Sequence, residues 1–175
     1  MIAHIRGLIL SKSPNAVVVE CGGVGYELAI SVSTFTELAA EGKEVKLHVH
    51  THVREDALLL FGFVEMAEKR LFEKLLTISG IGPKLAITVL SGISAERLVG
   101  AIRGGDHATL TKIPGIGKKT AERVVLELKD KLDNRFTPVG QLHRLTAPPP
   151  SLHGKMLQTH RRNQSQQQST AVLDL

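Results

Sequence analysis

Ser79-Gly80-Ile81-Gly82-Pro83-Lys84 returns further along the chain as Pro114-Gly115-Ile116-Gly117-Lys118-Lys119, with 115 − 80 = 35 residues between matching glycines. The flanks repeat too: Leu75, Ile78, Ala86 and Val89 are answered by Leu110, Ile113, Ala121 and Val124. A duplication in register is a stronger signal than either loop alone. In each copy an apolar helical run ends at an isoleucine, and two glycines then open backbone angles closed to other residues. A new helix follows, with Pro83 suited to its first turn. The free N–H groups of the loop and the new helix form an anion site, with no Cβ in the way. Lys84, Lys118 and Lys119 add charge beside it. A loop of this kind grips a backbone phosphate and reads no bases.

The candidate phosphate-binding residues are therefore Ser79, Gly80, Ile81, Gly82 and Lys84 in the first loop. In the second they are Gly115, Ile116, Gly117, Lys118, Lys119 and Thr120. Arg123 lies one turn beyond Lys119, within reach of the same backbone. Each loop resembles a helix-hairpin-helix motif, and the pair resembles a DNA-backbone clamp. A plain helix–helix turn is the alternative for one copy, and two copies in register, each followed by lysine, speak against it.

Charge follows the loops. Residues 1–62 carry 5 Lys/Arg and 7 Asp/Glu, net −2; residues 63–136 carry 13 and 9, net +4; residues 137–175 carry 4 and 1, net +3, for a total of +5. The surplus sits where a nucleic-acid binder needs it. Hydrophobic residues make up 42% of the 175, enough for a core. No apolar run approaches the length of about 18 residues that a membrane span needs. The N-terminus enters a strand pattern at once and does not read as a signal peptide. Cys21 is the single cysteine, so a reducing cytoplasm is the expected location and a small buried residue its expected role.

Residues 1–63 read as a five-stranded OB-fold barrel. Strand patterns cover 2–10, 16–20, 24–32, 45–53 and 58–63, with a short helical piece at 35–40 after the third. Gly22-Gly23 marks a hairpin between the second and third. With aromatic residues at 3%, no Trp and a negative charge, this barrel is a poor platform for stacking single-stranded bases. It reads as an assembly and shaping element. His48, His50 and His52 alternate on one strand; no carboxylate or cysteine completes a metal set, so exposed strand histidines are expected and no metal. Arg54-Glu55-Asp56-Ala57 reads as a hairpin tip whose adjacent carboxylates, Glu55 and Asp56, would repel phosphate.

Residues 64–136 read as an all-helical, tandem helix-hairpin-helix domain. Helices are expected over 65–77, 83–91, from a Ser94 cap to Gly104-Gly105, from an Asp106 cap, and over 118–132. Residues 137–175 hold Pro148-Pro149-Pro150 and a polar run at 161–170, and read as a mostly disordered tail whose basic residues add weak, salt-sensitive DNA affinity.

An OB-like barrel followed by two such loops resembles the bacterial RuvA family of Holliday-junction proteins. The likeness covers about 1–136 and rests on Met1-Ile2, Arg54-Glu55-Asp56-Ala57, Leu60-Phe61-Gly62-Phe63, the stretch Gly80 to Lys84, and Leu110 through Arg123. It implies a homotetramer, with two tetramers per junction possible, holding four-way junction DNA without regard to sequence. It makes Glu55 and Asp56 an acidic pin at the crossover. It implies the RuvB ATPase and the RuvC resolvase as partners, and roles in recombination and repair. No catalytic residue and no cofactor is expected, and no phosphate-binding loop ending Gly-Lys-Ser/Thr occurs. The family pattern continues with a linker and a small helical domain that contacts RuvB. The tail has too few periodic apolar residues to build one, which leaves RuvB recruitment open, as it does the choice between a natural, a truncated and a frameshifted tail. Two other readings are a helix-hairpin-helix enzyme, which lacks clustered carboxylates here, and a duplex-binding module with no preference for junctions.

Overall fold

The structure, a computed structural model, describes residues 1–132, all of which fall in one compact unit. The tail expected at 137–175 lies outside the described residues. Five strands form first: β1 (His4–Ser13), β2 (Ala16–Cys21), β3 (Val24–Ala29), β4 (Glu44–Val53) and β5 (Leu58–Phe63), with helix α1 (Val32–Glu37) between β3 and β4. They close into a barrel in the order β1-β2-β3-β5-β4. All neighbours are antiparallel except β3 and β5, which meet at Ala29 and Phe61. This is the OB-like barrel expected from the alternation. That single pair closes the barrel, as in the partly open barrel of an OB-fold.

The barrel's own core contains Ile9, Val17, Val19, Leu28, Ile30, Leu47 and Val49, each 1% exposed or less. These are the inward positions of a period-two pattern. β5 departs from that pattern. Phe61 and Phe63 join the core of the helical part instead, where both rings lie 5.1 Å from that of Phe72. A strand buried on both faces reads as a continuous apolar run, and the buried part of β5, Leu60-Phe61-Gly62-Phe63, does so.

Helices follow: α2 (Met66–Leu76), α3 (Pro83–Gly92), α4 (Ala95–Gly104), α5 (His107–Thr111) and α6 (Lys118–Leu128). Their caps are those the sequence marks. Ser94 Oγ accepts from Arg97 N, Asp106 accepts from Thr109 N, and Gly105 closes α4 at φ 67°. The Asp106 carboxyl is held below its ordinary range, chiefly by the Thr109 side chain and backbone bonds. One helix is shorter than its pattern. α6 stops at Leu128, although Leu132 stays buried and its N–H still reaches Leu128 O. The apolar face continues past the regular hydrogen bonding, because a packing requirement outlasts the helix.

Two features at the barrel–helix joint differ from the sequence reading. The strand histidines are half-buried rather than exposed. His50 packs edge-on against Phe72 with centroids 5.3 Å apart and meets Glu73 Oε1 at 3.3 Å. His48 faces His4 across β1 and β4, and burial holds its pKa below the usual value. His50 thus serves as packing between β4 and α2, while His52 accepts from Arg54 Nε at 3.3 Å. The other feature is Glu68 on α2, a buried carboxylate. It accepts hydrogen bonds from Ser31 Oγ, the cap of α1, and from Thr34 Oγ1. Cys21 is only half-buried, with Sγ donating to Arg6 O.

Candidate nucleic-acid interface

The two glycine loops fold alike in backbone. Gly80 and Gly115 sit at φ 91° and φ 86°, where any side chain is strained. Gly82 and Gly117 cap the following helices at φ −88°, ψ 173° and φ −84°, ψ 172°. Ile81 N donates to Ile78 O and Ile116 N donates to Ile113 O, both at 3.0 Å. The first intrahelical bonds are Ala86 N to Gly82 O and Ala121 N to Gly117 O, both at 2.9 Å. Main-chain N–H groups ahead of those bonds have no intrahelical acceptor. In α3 these are Lys84 and Leu85. In α6 they are Lys118, Lys119 and Thr120, one more because Lys118 stands where α3 has Pro83.

Among the candidate residues, Ser79, Gly80, Gly82, Lys84, Gly115, Gly117, Lys118 and Lys119 are exposed, and Thr120 is half-buried. Ile81 and Ile116 need correcting. Their side chains are 4% and 5% exposed and their N–H groups are spent inside the turn. They plug each loop into the core. Arg123 also has a partner: Nη1 donates to Ser79 O at 2.8 Å, across 44 residues of sequence.

Glu55 and Asp56 lie on an exposed tip between β4 and β5, closed by Arg54 N to Ala57 O at 2.8 Å. Arg54 at the base of that tip and Lys84 at the start of α3 line one groove of about 730 Å³, with Leu58, Leu59 and Ile87 among its walls. The acidic tip and the first loop therefore open on neighbouring parts of the surface. Among the described residues no three His, Cys, Asp or Glu side chains are grouped to hold a metal.

The description "RuvA N terminal domain" matches residues 1–62, and "SAM-like Helix-hairpin-helix tandem" matches residues 72–130. A protein of Acidobacterium capsulatum named Holliday junction branch migration complex subunit RuvA is 66% identical over 134 residues, covering 77% of this chain and 68% of that protein. The chain belongs to the RuvA family. Proteins of the same name from Solibacter usitatus and Cronobacter sakazakii are 59% identical over 132 residues and 48% identical over 152. Those two alignments cover 75% and 85% of this chain, and 67% and 74% of the respective RuvA proteins. The family matches thus span both the barrel and the paired loops.

The sequence reading missed Glu68 and the Arg123 bond. Glu68 looks like any helix-surface glutamate, and only its position opposite a capping serine makes it a core residue. The Arg123 partner is a main-chain carbonyl, which no side-chain pattern announces.

Proposed function

We propose that the chain is a non-catalytic subunit that holds four-way (Holliday) junction DNA by its phosphates, for branch migration by a RuvB motor. The observation that carries this is the pair of loops with one backbone geometry, each presenting unpaired N–H groups beside lysine. Two such sites bind two phosphates and are indifferent to base sequence. The ligands are the exposed loop positions Ser79, Gly80, Gly82 and Lys84, and Gly115, Gly117, Lys118 and Lys119, with the half-buried Thr120. The names of the relatives, all subunits of a junction branch migration complex, point the same way.

Four arms call for four copies. Leu58 and Leu59, 60% and 43% exposed on β5, give adjacent apolar surface beside the tip, which self-association would cover. In a homotetramer the tips bearing Glu55 and Asp56 meet near the crossover. There they discourage a continuous duplex from crossing the centre. RuvB and RuvC join as further partners, in the cytoplasm where the DNA is. The second reading is a duplex-binding module without junction preference, favoured by the fact that phosphate sites alone carry no shape information.

The test is the mass of the protein with and without a four-way junction, paired with competition by linear duplex of equal length. Four or eight chains per junction, with linear DNA competing poorly, is the expected result. One chain per DNA, or equal competition, supports the duplex module instead.

A further inference from the structure

The two loops are fastened to each other as well as to the core. The repeat places Thr88 of α3 and Arg123 of α6 at equivalent positions, 123 − 88 = 35. Thr88 turns inward, its Oγ1 donating to Lys84 O of its own helix at 3.0 Å. Arg123 instead leaves its own hairpin and donates to the Ser79 carbonyl in the other. In return, Leu85 of α3 stands against the second loop: a Cβ added to Gly115 would lie 2.8 Å from Leu85 Cδ1. Each hairpin thus supplies one side chain that touches the other's turn.

We propose that Arg123 is a positioning residue, which acts through the Ser79–Gly80 peptide to aim the first loop's phosphate-binding N–H. The reason is peptide planarity. In a trans peptide the C=O and N–H point in opposite directions, and no described peptide bond is cis. Fixing Ser79 O toward α6 therefore fixes Gly80 N–H toward the opposite side. Gly80, at φ 91° with no atom within 4 Å of an added Cβ, has few packing contacts of its own to set that plane. Glu127 lies one turn on, its Oε1 3.9 Å from Arg123 Nε, a loose and partly exposed pair. The contact that commits the guanidinium is the 2.8 Å bond to Ser79 O, and its planar fork leaves other donors directed to either side of that carbonyl. The consequence is that the two phosphate sites keep a fixed spacing and act as one unit.

This inference rests on the clamp reading, and the experiment separates the two. Arg123→Ala is combined with Lys84→Ala in the first loop and with Lys119→Ala in the second, and junction affinity is measured for every single and double variant of the full chain. The NMR order parameter of the Gly80 amide is measured in the DNA-free protein for Arg123→Ala and Arg123→Lys. Loss of one charge-assisted hydrogen bond at an exposed site should weaken junction binding by roughly five- to ten-fold per bound chain. Arg123→Ala should couple with Lys84→Ala, the double variant losing clearly less than the product of the two, and combine multiplicatively with Lys119→Ala. The Gly80 order parameter should fall in Arg123→Ala without DNA and be only partly restored by lysine, which lacks the planar fork. Coupling to Lys119 instead, with the Gly80 order parameter unchanged, would make Arg123 an ordinary phosphate ligand and overturn the proposal. If neither lysine variant weakens binding, the clamp reading falls, and the Gly80 order parameter still decides what Arg123 does.

Discussion

Loops 79–84 and 114–119 enter the left-handed region at matching glycines, yet their surroundings differ. Gly80 has open space where a side chain would go, whereas Gly115 faces Leu85. The first loop has Pro83 and one lysine, the second Lys118 and Lys119 with one more free N–H. The first is held by a hydrogen bond from Arg123, the second by apolar contact. The difference separates two jobs. The backbone conformation that the proposed anion sites need is repeated almost without change. The side chains around it have diverged between the copies.

The largest expected effect is on the glycines. Gly115→Ala forces a Cβ into left-handed backbone, at roughly 1–2 kcal/mol, and also pushes on Leu85. Gly80→Ala incurs the backbone strain alone. Gly115→Ala should therefore melt lower than Gly80→Ala, at about 3–6 °C per kcal/mol of difference. Adding Leu85→Ala should narrow the gap. Equal melting temperatures for the two single variants would erase the distinction between a packed loop and an open one.

Next in size is the lysine asymmetry. Each phosphate contact contributes about 0.9 to the slope of log affinity against log salt, so removing Lys118 and Lys119 together should lower that slope by roughly two units per bound chain and removing Lys84 by roughly one, each multiplied about four-fold when four chains hold the junction. Titrations of one junction at several salt concentrations measure both. Equal losses would mean that Lys118 faces away from the DNA.

A smaller effect is expected at the acidic tip, which contrasts with both loops in sign. Glu55→Gln with Asp56→Asn should tighten binding to linear duplex and reduce the junction-to-duplex ratio, most at low salt where screening is weakest. The fold should hold, because the tip is exposed. A ratio that stays put or rises would make the pair a solvated turn.

The smallest lies away from both loops. Burial, the leading cause, raises the pKa of Glu68 above its ordinary value of 4.5, outweighing the Ser31 and Thr34 bonds that lower it, while Glu65 raises it further. Glu37 nearby is raised too, by burial and then by Glu68 and Glu65. A raised folded pKa means that stability from Glu68 is fully present below the unfolded value and is lost as pH rises through the folded one. Denaturant melts should show stability declining from about pH 4.3 upward, and Glu68→Gln should flatten that decline. An unchanged profile would place the pH dependence elsewhere, with Glu37 the next candidate.

The loops were legible in the sequence because their signal is local: glycines at fixed offsets, an isoleucine plug and a following lysine, all repeated. The barrel was legible because Leu28, Leu47 and Val49 alternate with polar neighbours. Ile81 and Ile116 were misread as phosphate ligands because a loop motif does not say which of its N–H groups the turn consumes. The histidines were misread because half-burial of His50 depends on Phe72, which comes from another element. Arg123 was legible as a cation near a loop, but the loop it serves is the one 44 residues back. Local pattern encodes local geometry, and long-range contacts decide which groups remain free.

The most direct measurement is the salt dependence of junction binding for the intact chain and for the Lys84→Ala, Lys118→Ala, Lys119→Ala triple variant, each on two four-way junctions of unrelated base sequence. A phosphate clamp predicts a slope lower by roughly three units per bound chain in the triple variant, about four times that for four chains on one junction, and the same drop on both junctions. An unchanged slope, or a loss that depends on which junction is used, would contradict it.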